Sequence, residues 1–100
     1  MNNYRTKKLK RLATALLIAK DETQMLNFLR DLCTLEELEE LGSRFQVVEL
    51  LAAGKSYREI AKLAKVSTTT ITRISHWLVH GEGGYRAVLS KLKKSKKSAK

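Results

Sequence analysis

The 100-residue sequence has no proline, a single cysteine and only 6% aromatic residues. Without proline the strongest helix breaker is missing, and the abundant Leu, Ala, Lys and Glu favour helix throughout. The lone Cys33 excludes an internal disulfide and a cysteine metal cluster, and we expect it to be a small buried hydrophobic residue. The longest apolar run, Leu12 to Ala19, contains Thr14 and is too short to span a bilayer. These absences predict a small all-α protein of the cytosol.

Catalytic groupings are missing as well. The sequence has two histidines, no Ser/His/Asp or Cys/His set with a third member, and no phosphate-cradling loop. The glycines at 81, 83 and 84 lack the strand-turn-helix setting of a dinucleotide site. His76 and His80 have the spacing of a helical metal-binding pair, but no nearby Cys, Asp or third His completes the set. We therefore expect no enzymatic activity, no metal and no cofactor.

The charge is unevenly distributed along the chain. The formal net charge is +10, from 20 basic and 10 acidic residues. Residues 51–100 hold twelve basic and two acidic groups, whereas residues 21–50 hold two basic and eight acidic groups. A basic half of this kind suits a polyanionic partner such as the DNA phosphate backbone.

The basic half contains two short helical patterns joined by a tight turn, over residues 56–78. Ser56 and Glu59 have the spacing of a capping box at the start of the first helix. Ser67 is a second N-cap candidate. Between them, Ala61 is small where two helices must approach closely, and Val66 is placed to plug the turn. The pattern predicts a helix-turn-helix of the DNA-binding kind.

The second helix of this pair has distinct inner and outer faces. Its inner face repeats Ile71, Ile74 and Leu78 at helical spacing. Its outer face carries short polar side chains, one arginine and no carboxylate: Thr68, Thr69, Thr72, Arg73 and His76. Lys65 stands in the turn where such motifs usually have glycine, because a left-handed conformation costs other residues roughly 1 kcal/mol. A purely structural helical hairpin is therefore the alternative interpretation.

Further helices are expected on both sides of this pair. Capping signals at Asp21 and Thr34 open a second helix and a third, longest helix, and Gly54 is the expected C-terminal cap of the third. A basic amphipathic helix begins at Lys7, and we interpret it as core-facing rather than membrane-bound. The third helix is apolar nearly all round over Phe45 to Ala53, which in so short a chain indicates burial against a second copy.

After a glycine-rich turn at residues 80–84, the sequence predicts a last short helix. We expect one domain over residues 1–94 and a disordered basic tail over residues 95–100.

The chain resembles the Trp repressor superfamily, and nearly all of it is similar to the YerC/YecD branch of bacterial helix-turn-helix proteins. The motifs that carry the resemblance are Leu32-Cys33-Thr34, Gly42-Ser43-Arg44, Tyr57-Arg58-Glu59-Ile60-Ala61, Thr70-Ile71-Thr72-Arg73 and, for the branch, Gly81-Glu82-Gly83-Gly84-Tyr85-Arg86. The resemblance implies six helices, an intertwined homodimer and sequence-specific binding to operator DNA. Its base-facing positions match Thr68, Thr69 and Thr72, and further DNA-contacting positions match Arg58 and Thr70.

The same resemblance allows the tryptophan corepressor pocket of the family to be compared with this sequence. Arg44 and Arg73 match the two arginines that sandwich tryptophan in the Trp repressor proper. Where that protein has glycine and serine beside the indole, this chain has Ile74 and Trp77. We expect their bulk to fill the pocket, because overfilling a site is costly, and therefore expect no tryptophan corepressor.

Together these patterns predict a cytoplasmic homodimeric transcriptional regulator, with a repressor favoured, that binds a palindromic operator. The expected DNA-binding residues are Arg58, Lys62, Lys65, Ser67, Thr68, Thr69, Thr70, Thr72, Arg73 and His76. Two alternatives stay open, namely a non-specific architectural nucleic-acid binder and a protein-interaction module that docks on an acidic partner.

Overall fold

A computed structural model describes residues 3–98, with side chains over residues 3–93, and shows six helices and no strand in that part of the chain. The helices are α1 (Lys7–Ile18), α2 (Glu22–Leu32), α3 (Leu35–Ala52), α4 (Tyr57–Ala64), α5 (Thr68–His80) and α6 (Gly84–Ser98). The all-α prediction is thereby confirmed. None of the helices over the described residues is long and apolar enough to cross a membrane.

Side-chain caps begin the helices where the sequence predicted them. The Asp21 carboxylate accepts the Gln24 amide at 2.9 Å at the start of α2. Before α3, Glu37 accepts the Thr34 amide at 2.8 Å and Thr34 Oγ1 accepts the Glu37 amide at 3.0 Å, which completes a capping box. Each such cap satisfies backbone donors that the helix leaves unpaired, and is worth about 1 kcal/mol.

Gly54 ends α3 as predicted, in the left-handed region at φ +82°. The Gly54 amide donates to the Leu51 carbonyl at 3.0 Å, and the Lys55 amide donates to the Leu50 carbonyl at 3.1 Å. This pair of bonds is a Schellman motif, which a residue without Cβ adopts at least cost. The motif turns the chain sharply into the helix-turn-helix.

The chain divides into two compact units, the first ending at Glu39 and the second beginning at Glu40. The second unit contains the buried hydrophobic core, which comes from α3, α4 and α5 and consists of Val47, Val48, Ile60, Ala64, Ile71 and Ile74. Each fully buried Val or Ile side chain contributes roughly 1.5–3 kcal/mol. Apolar burial thus concentrates on the elements that hold the helix-turn-helix together.

The first unit leaves its apolar side chains accessible. Neither α1 nor α2, both wholly inside the described chain, has a buried residue. Leu17 is 86% exposed, Ile18 68% and Leu26 58%. Cys33 is half-buried, so its expected full burial does not occur within a single chain.

The structure corrects the sequence interpretation at two helix ends. Helix α5 was expected to end near Leu78, but it continues through His80 because the cap forms at Gly81, whose amide donates to the Trp77 carbonyl at 2.8 Å. Helix α6 continues to Ser98, so residues 95–98 are helical where a disordered tail was predicted. Lysine, which supplies half of this segment, is a good helix former, and extending an existing helix requires no new nucleus. Residues 99 and 100 of the expected tail lie outside the described residues.

Candidate nucleic-acid interface

The packing of α4 against α5 forms a helix-turn-helix with a three-residue turn over residues 65–67. Lys65 ends α4 in the left-handed conformation, at φ 55° and ψ 48°. Val66 and Ala61 pack, partly buried, against the hydrophobic core. The turn therefore has the backbone that glycine usually supplies, and the small and plugging residues occupy the positions predicted for them.

A reciprocal capping box fixes the start of α4. Ser56 Oγ accepts the Glu59 amide at 3.1 Å, and the Glu59 carboxylate accepts the Ser56 amide at 3.2 Å. The backbone hydrogen bond from Ser56, followed by the bond from its hydroxyl, lowers the pKa of Glu59 below its ordinary value. Glu59 is the only acidic residue in the helix pair, and α5 itself contains none, so the outer face of α5 carries no negative side chain.

Three exposed threonines occupy the first half of α5, at Thr68, Thr69 and Thr72. The Thr72 hydroxyl donates to the Thr68 carbonyl at 2.9 Å, so its proton is engaged while its oxygen can still accept a hydrogen bond. The threonine methyl groups offer apolar contact. This combination of short acceptors and methyl groups matches the hydrogen-bonding and thymine-methyl features of base edges in a major groove.

Two of the predicted contact residues are engaged in starting α5. Ser67 Oγ accepts the Thr70 amide at 3.1 Å, and the two hydroxyl oxygens lie 3.1 Å apart. Thr70 is also half-buried, whereas Thr68 and Thr69 are exposed. Both residues therefore take part in the cap that starts α5.

The positively charged side chains among the predicted DNA-binding residues are all exposed on the two helices or in the turn, and they are Arg58, Lys62, Lys65 and Arg73. His76 is also exposed, and its ring centroid lies 4.9 Å from that of His80. Over the described residues no group of three His, Cys, Asp or Glu side chains is arranged to hold a metal ion. The surface thus combines short polar side chains, which can contact base edges, with positively charged side chains.

A cleft of about 290 Å³ lies behind the turn, and its lining includes all four residues of the expected effector-pocket remnant: Arg44, Arg73, Ile74 and Trp77. Ile74 and Trp77 line the cleft without filling it, contrary to the expectation that their bulk closes it. The reason is their orientation, since Ile74 is 1% exposed and belongs to the core, while Trp77 is 46% exposed.

Sequence reasoning missed two features near this surface. Glu40 also lines the cleft, where its carboxylate lies 3.4 Å from the Arg44 guanidinium. Their spacing of four residues on a helix was a signal that could have revealed the pair. Arg86 donates hydrogen bonds to the carbonyls of Leu78 and Val79, and it was singled out only as part of a motif. No local sequence pattern predicts a hydrogen bond from a side chain to backbone carbonyls of the preceding helix.

The capped helix pair, its left-handed turn and the acid-free polar face of α5 define a helix-turn-helix protein. Comparison with known proteins identifies the family. The profile of the Trp repressor protein family matches residues 7–93, and the chain belongs to that family of helical DNA-binding regulators.

Individual relatives agree with this assignment. The uncharacterised protein YerC of Bacillus subtilis (strain 168) is 32% identical over 95 residues, which is 95% of this chain and 91% of YerC. A TrpR-like protein from Eubacterium eligens ATCC 27750 superposes with a TM-score of 0.85 at 34% identity, covering 89% of this chain and 92% of the other. A candidate Trp repressor from Staphylococcus aureus superposes with a TM-score of 0.84 at 30% identity, covering 89% of each chain.

Proposed function

We propose that this protein is a sequence-specific transcriptional regulator, most simply a repressor, that binds a palindromic operator as a homodimer. The observation that carries the proposal is the outer face of α5, where three exposed threonines precede Arg73 and no carboxylate is present. The N-terminal half of a recognition helix is the part that enters the major groove. Family membership supports the same conclusion.

Base readout and phosphate binding are assigned to different residues in this proposal. Thr68, Thr69 and Thr72 read base edges, each with modest discrimination because threonine offers one hydroxyl and one methyl group. The lysines at 62 and 65 neutralise phosphates, which adds affinity without sequence information. Arg58, Arg73 and His76 flank the threonines on the same surface or on the adjoining helix. All of these side chains are exposed.

Support for the homodimer comes from the accessible apolar surface of α1 and α2. Both helices are amphipathic, yet neither has a buried residue within the described chain. An isolated chain that left Leu17, Ile18 and Leu26 in water would forgo most of the stabilisation their burial could supply, at roughly 25 cal/mol per Å². A twofold dimer would place two recognition helices about 34 Å apart, which calls for a palindromic operator.

Sedimentation tests the dimer directly. We expect a single species of twice the 11.4 kDa chain mass at micromolar concentration, with an unfolding midpoint that rises with protein concentration. A cooperatively folded monomer whose midpoint does not depend on concentration would contradict the proposal.

We further propose that tryptophan is not a corepressor. The cleft lined by Arg44 and Arg73 is also lined by Glu40, which pairs with Arg44 at 3.4 Å. A ligand carboxylate would have to compete with Glu40 for that guanidinium, and would meet like charge beside it. The indole would also have to displace or stack against Trp77. Titration calorimetry with free tryptophan should show no saturable heat, and a tryptophan-induced gain in DNA affinity would refute this part of the proposal.

Selection of bound sequences from a random DNA pool, followed by salt titration, tests the central claim. We expect an enriched palindrome that binds at least about a thousandfold more tightly than random DNA at physiological salt. A steep salt dependence without an enriched sequence would favour an architectural nucleic-acid binder instead. Absence of useful DNA affinity would favour a protein-interaction module.

A further inference from the structure

The junction between α5 and α6 contains the motif Gly81-Glu82-Gly83-Gly84-Tyr85-Arg86, for which the proposed function supplies no role. The junction begins directly at the carboxyl end of the recognition helix, since α5 ends at His80 and α6 begins at Gly84. Any feature that fixes its geometry therefore also fixes the direction of α5 relative to α6.

Two glycines give the junction a defined backbone. A Cβ atom at Gly81 would collide with the carbonyl oxygen of Trp77, the same oxygen that accepts the Gly81 amide at 2.8 Å. Gly83 has φ +84°, a left-handed conformation that other residues adopt at a cost. The chain consequently turns within three residues, and α6 starts immediately afterwards.

Arg86 connects the two helices across this turn. Its Nε donates to the Leu78 carbonyl at 3.1 Å, and its Nη2 donates to the Val79 carbonyl at 2.6 Å. The carbonyls of the last turn of a helix have no partner within the helix, and they form the negative end of its dipole. A guanidinium satisfies two of them at once because its donors are held in a rigid planar fork.

The part of α6 that carries Arg86 is also held in place by packing. On α6, Tyr85 and Leu89 pack against the hydrophobic core of the second unit. On α5, Ile71 and Ile74 are buried in the same core. Packing thus holds the middle of α5, and the bonds from Arg86 hold its carboxyl end. With both points fixed, the recognition helix has little freedom to tilt.

We propose that Arg86 is a positioning residue that fixes the tilt of the recognition helix against α6 and thereby sharpens discrimination between DNA sequences. This inference rests on the proposed function. Base readout requires the threonines of α5 to meet base edges within hydrogen-bond distance, so a small rotation of the helix removes specific contacts. Phosphate contacts through long flexible lysines tolerate the same rotation. In this proposal Arg86 affects specificity through the orientation of the α5 backbone, and it does not bind a DNA phosphate.

The test compares Arg86→Ala and Arg86→Lys with Lys91→Ala, a control that also removes one positive charge from an exposed position on α6. The measurements are the affinities for the pool-selected sequence and for random DNA, and the salt dependence of each. We expect Arg86→Ala to reduce the ratio of selected to random affinity about tenfold, the order expected from loss of a hydrogen bond to a charged group. Random-DNA affinity should fall no further than in Lys91→Ala.

Arg86→Lys separates positioning from simple charge. Lysine keeps the positive charge but lacks the planar fork, so it should recover only part of the lost ratio. Full recovery by lysine, or an equal loss of affinity for selected and random DNA with a flatter salt slope, would show that Arg86 binds phosphate and would overturn the proposal. Thermal unfolding of each variant, followed by circular dichroism, identifies any general loss of folded protein, which would lower both affinities together.

A second measurement does not depend on DNA. Residual dipolar couplings report the relative orientation of α5 and α6 in solution, and we expect one shared alignment in the wild type and divergent alignments in Arg86→Ala. Unchanged alignment in the variant would overturn the positioning role even if the wild type binds a specific sequence. Conversely, the wild type could prefer no sequence while the variant shows divergent alignment. That result would refute the proposed function, and Arg86 would retain only its structural role of fixing α5 against α6.

Discussion

The turn residue Lys65 offers the sharpest test of how this helix-turn-helix is built. It has φ 55° and ψ 48°, and within the described chain it is the only residue other than glycine with positive φ. Lys65 is exposed, so changing it disturbs no core packing. We predict that Lys65→Gly stabilises the protein while weakening its binding to DNA.

The magnitude follows from two opposing backbone effects. The left-handed conformation costs a residue with Cβ roughly 1–2 kcal/mol, and glycine removes that cost. Glycine also loses more conformational freedom on folding, which opposes the gain by about 0.4–1 kcal/mol. The net expectation is a stabilisation of about 0.5–1 kcal/mol for each chain.

Urea unfolding with Lys65→Ala as the matched control isolates this backbone effect. Both variants remove the same charge, but only glycine relieves the left-handed conformation. We expect Lys65→Gly to unfold at a higher urea midpoint than Lys65→Ala, with an unchanged slope. Equal chain concentrations are required, because dimer dissociation would make the midpoint depend on concentration. Both variants should bind random DNA more weakly than the wild type, with the salt slope reduced by about one per chain.

Two results would refute the reasoning. If Lys65→Gly were less stable than Lys65→Ala, the left-handed turn would not be the conformation that limits stability in solution. If neither variant changed the salt slope, Lys65 would not lie at a phosphate, and the turn would have to face away from the DNA.

Three further predictions concern the recognition face, the basic tail and the capping box at the start of α4. Thr69→Ala should cost on the order of 1 kcal/mol and relax preference at one base pair per half-site, as measured against a set of singly substituted operators. Deletion of residues 95–100 should weaken binding to all sequences alike and flatten the salt slope; a changed sequence preference after this deletion would reverse the two roles. The Glu59 carboxylate has a lowered pKa in the folded protein, so its capping contribution is present above its ordinary pKa of 4.5 and is lost as the pH falls through the lowered value. The difference in unfolding free energy between wild type and Glu59→Gln should therefore be largest near neutral pH and shrink below pH 4.5.

The helix starts were predictable from the sequence because they depend on residues close together in the chain. An Asp, Ser or Thr cap and its partner three residues later form bonds that require only the local backbone, as at Asp21 and Ser56. The same holds for Gly54, whose left-handed cap depends on the preceding turn of α3. The threonine face of α5 also follows from helical spacing alone.

The cleft and the helix ends required the folded chain. Whether Ile74 fills the pocket depends on its orientation, and burial of its side chain in the core left about 290 Å³ open beside it. The length of α6 depends on its anchoring at Tyr85 and Leu89, after which a lysine-rich segment continues the helix to Ser98 without a new nucleation step.

The sequence by itself determined the element order, the caps, the helix-turn-helix and the family, because each of these rests on short-range patterns of residue type. Only the tertiary structure decided that Arg86 holds the carbonyls of Leu78 and Val79. That contact spans seven or eight residues across a turn, and it forms only when two glycines bring the helix ends together. Local helix propensity does not predict this contact, because the contact depends on the direction in which the turn sends α6.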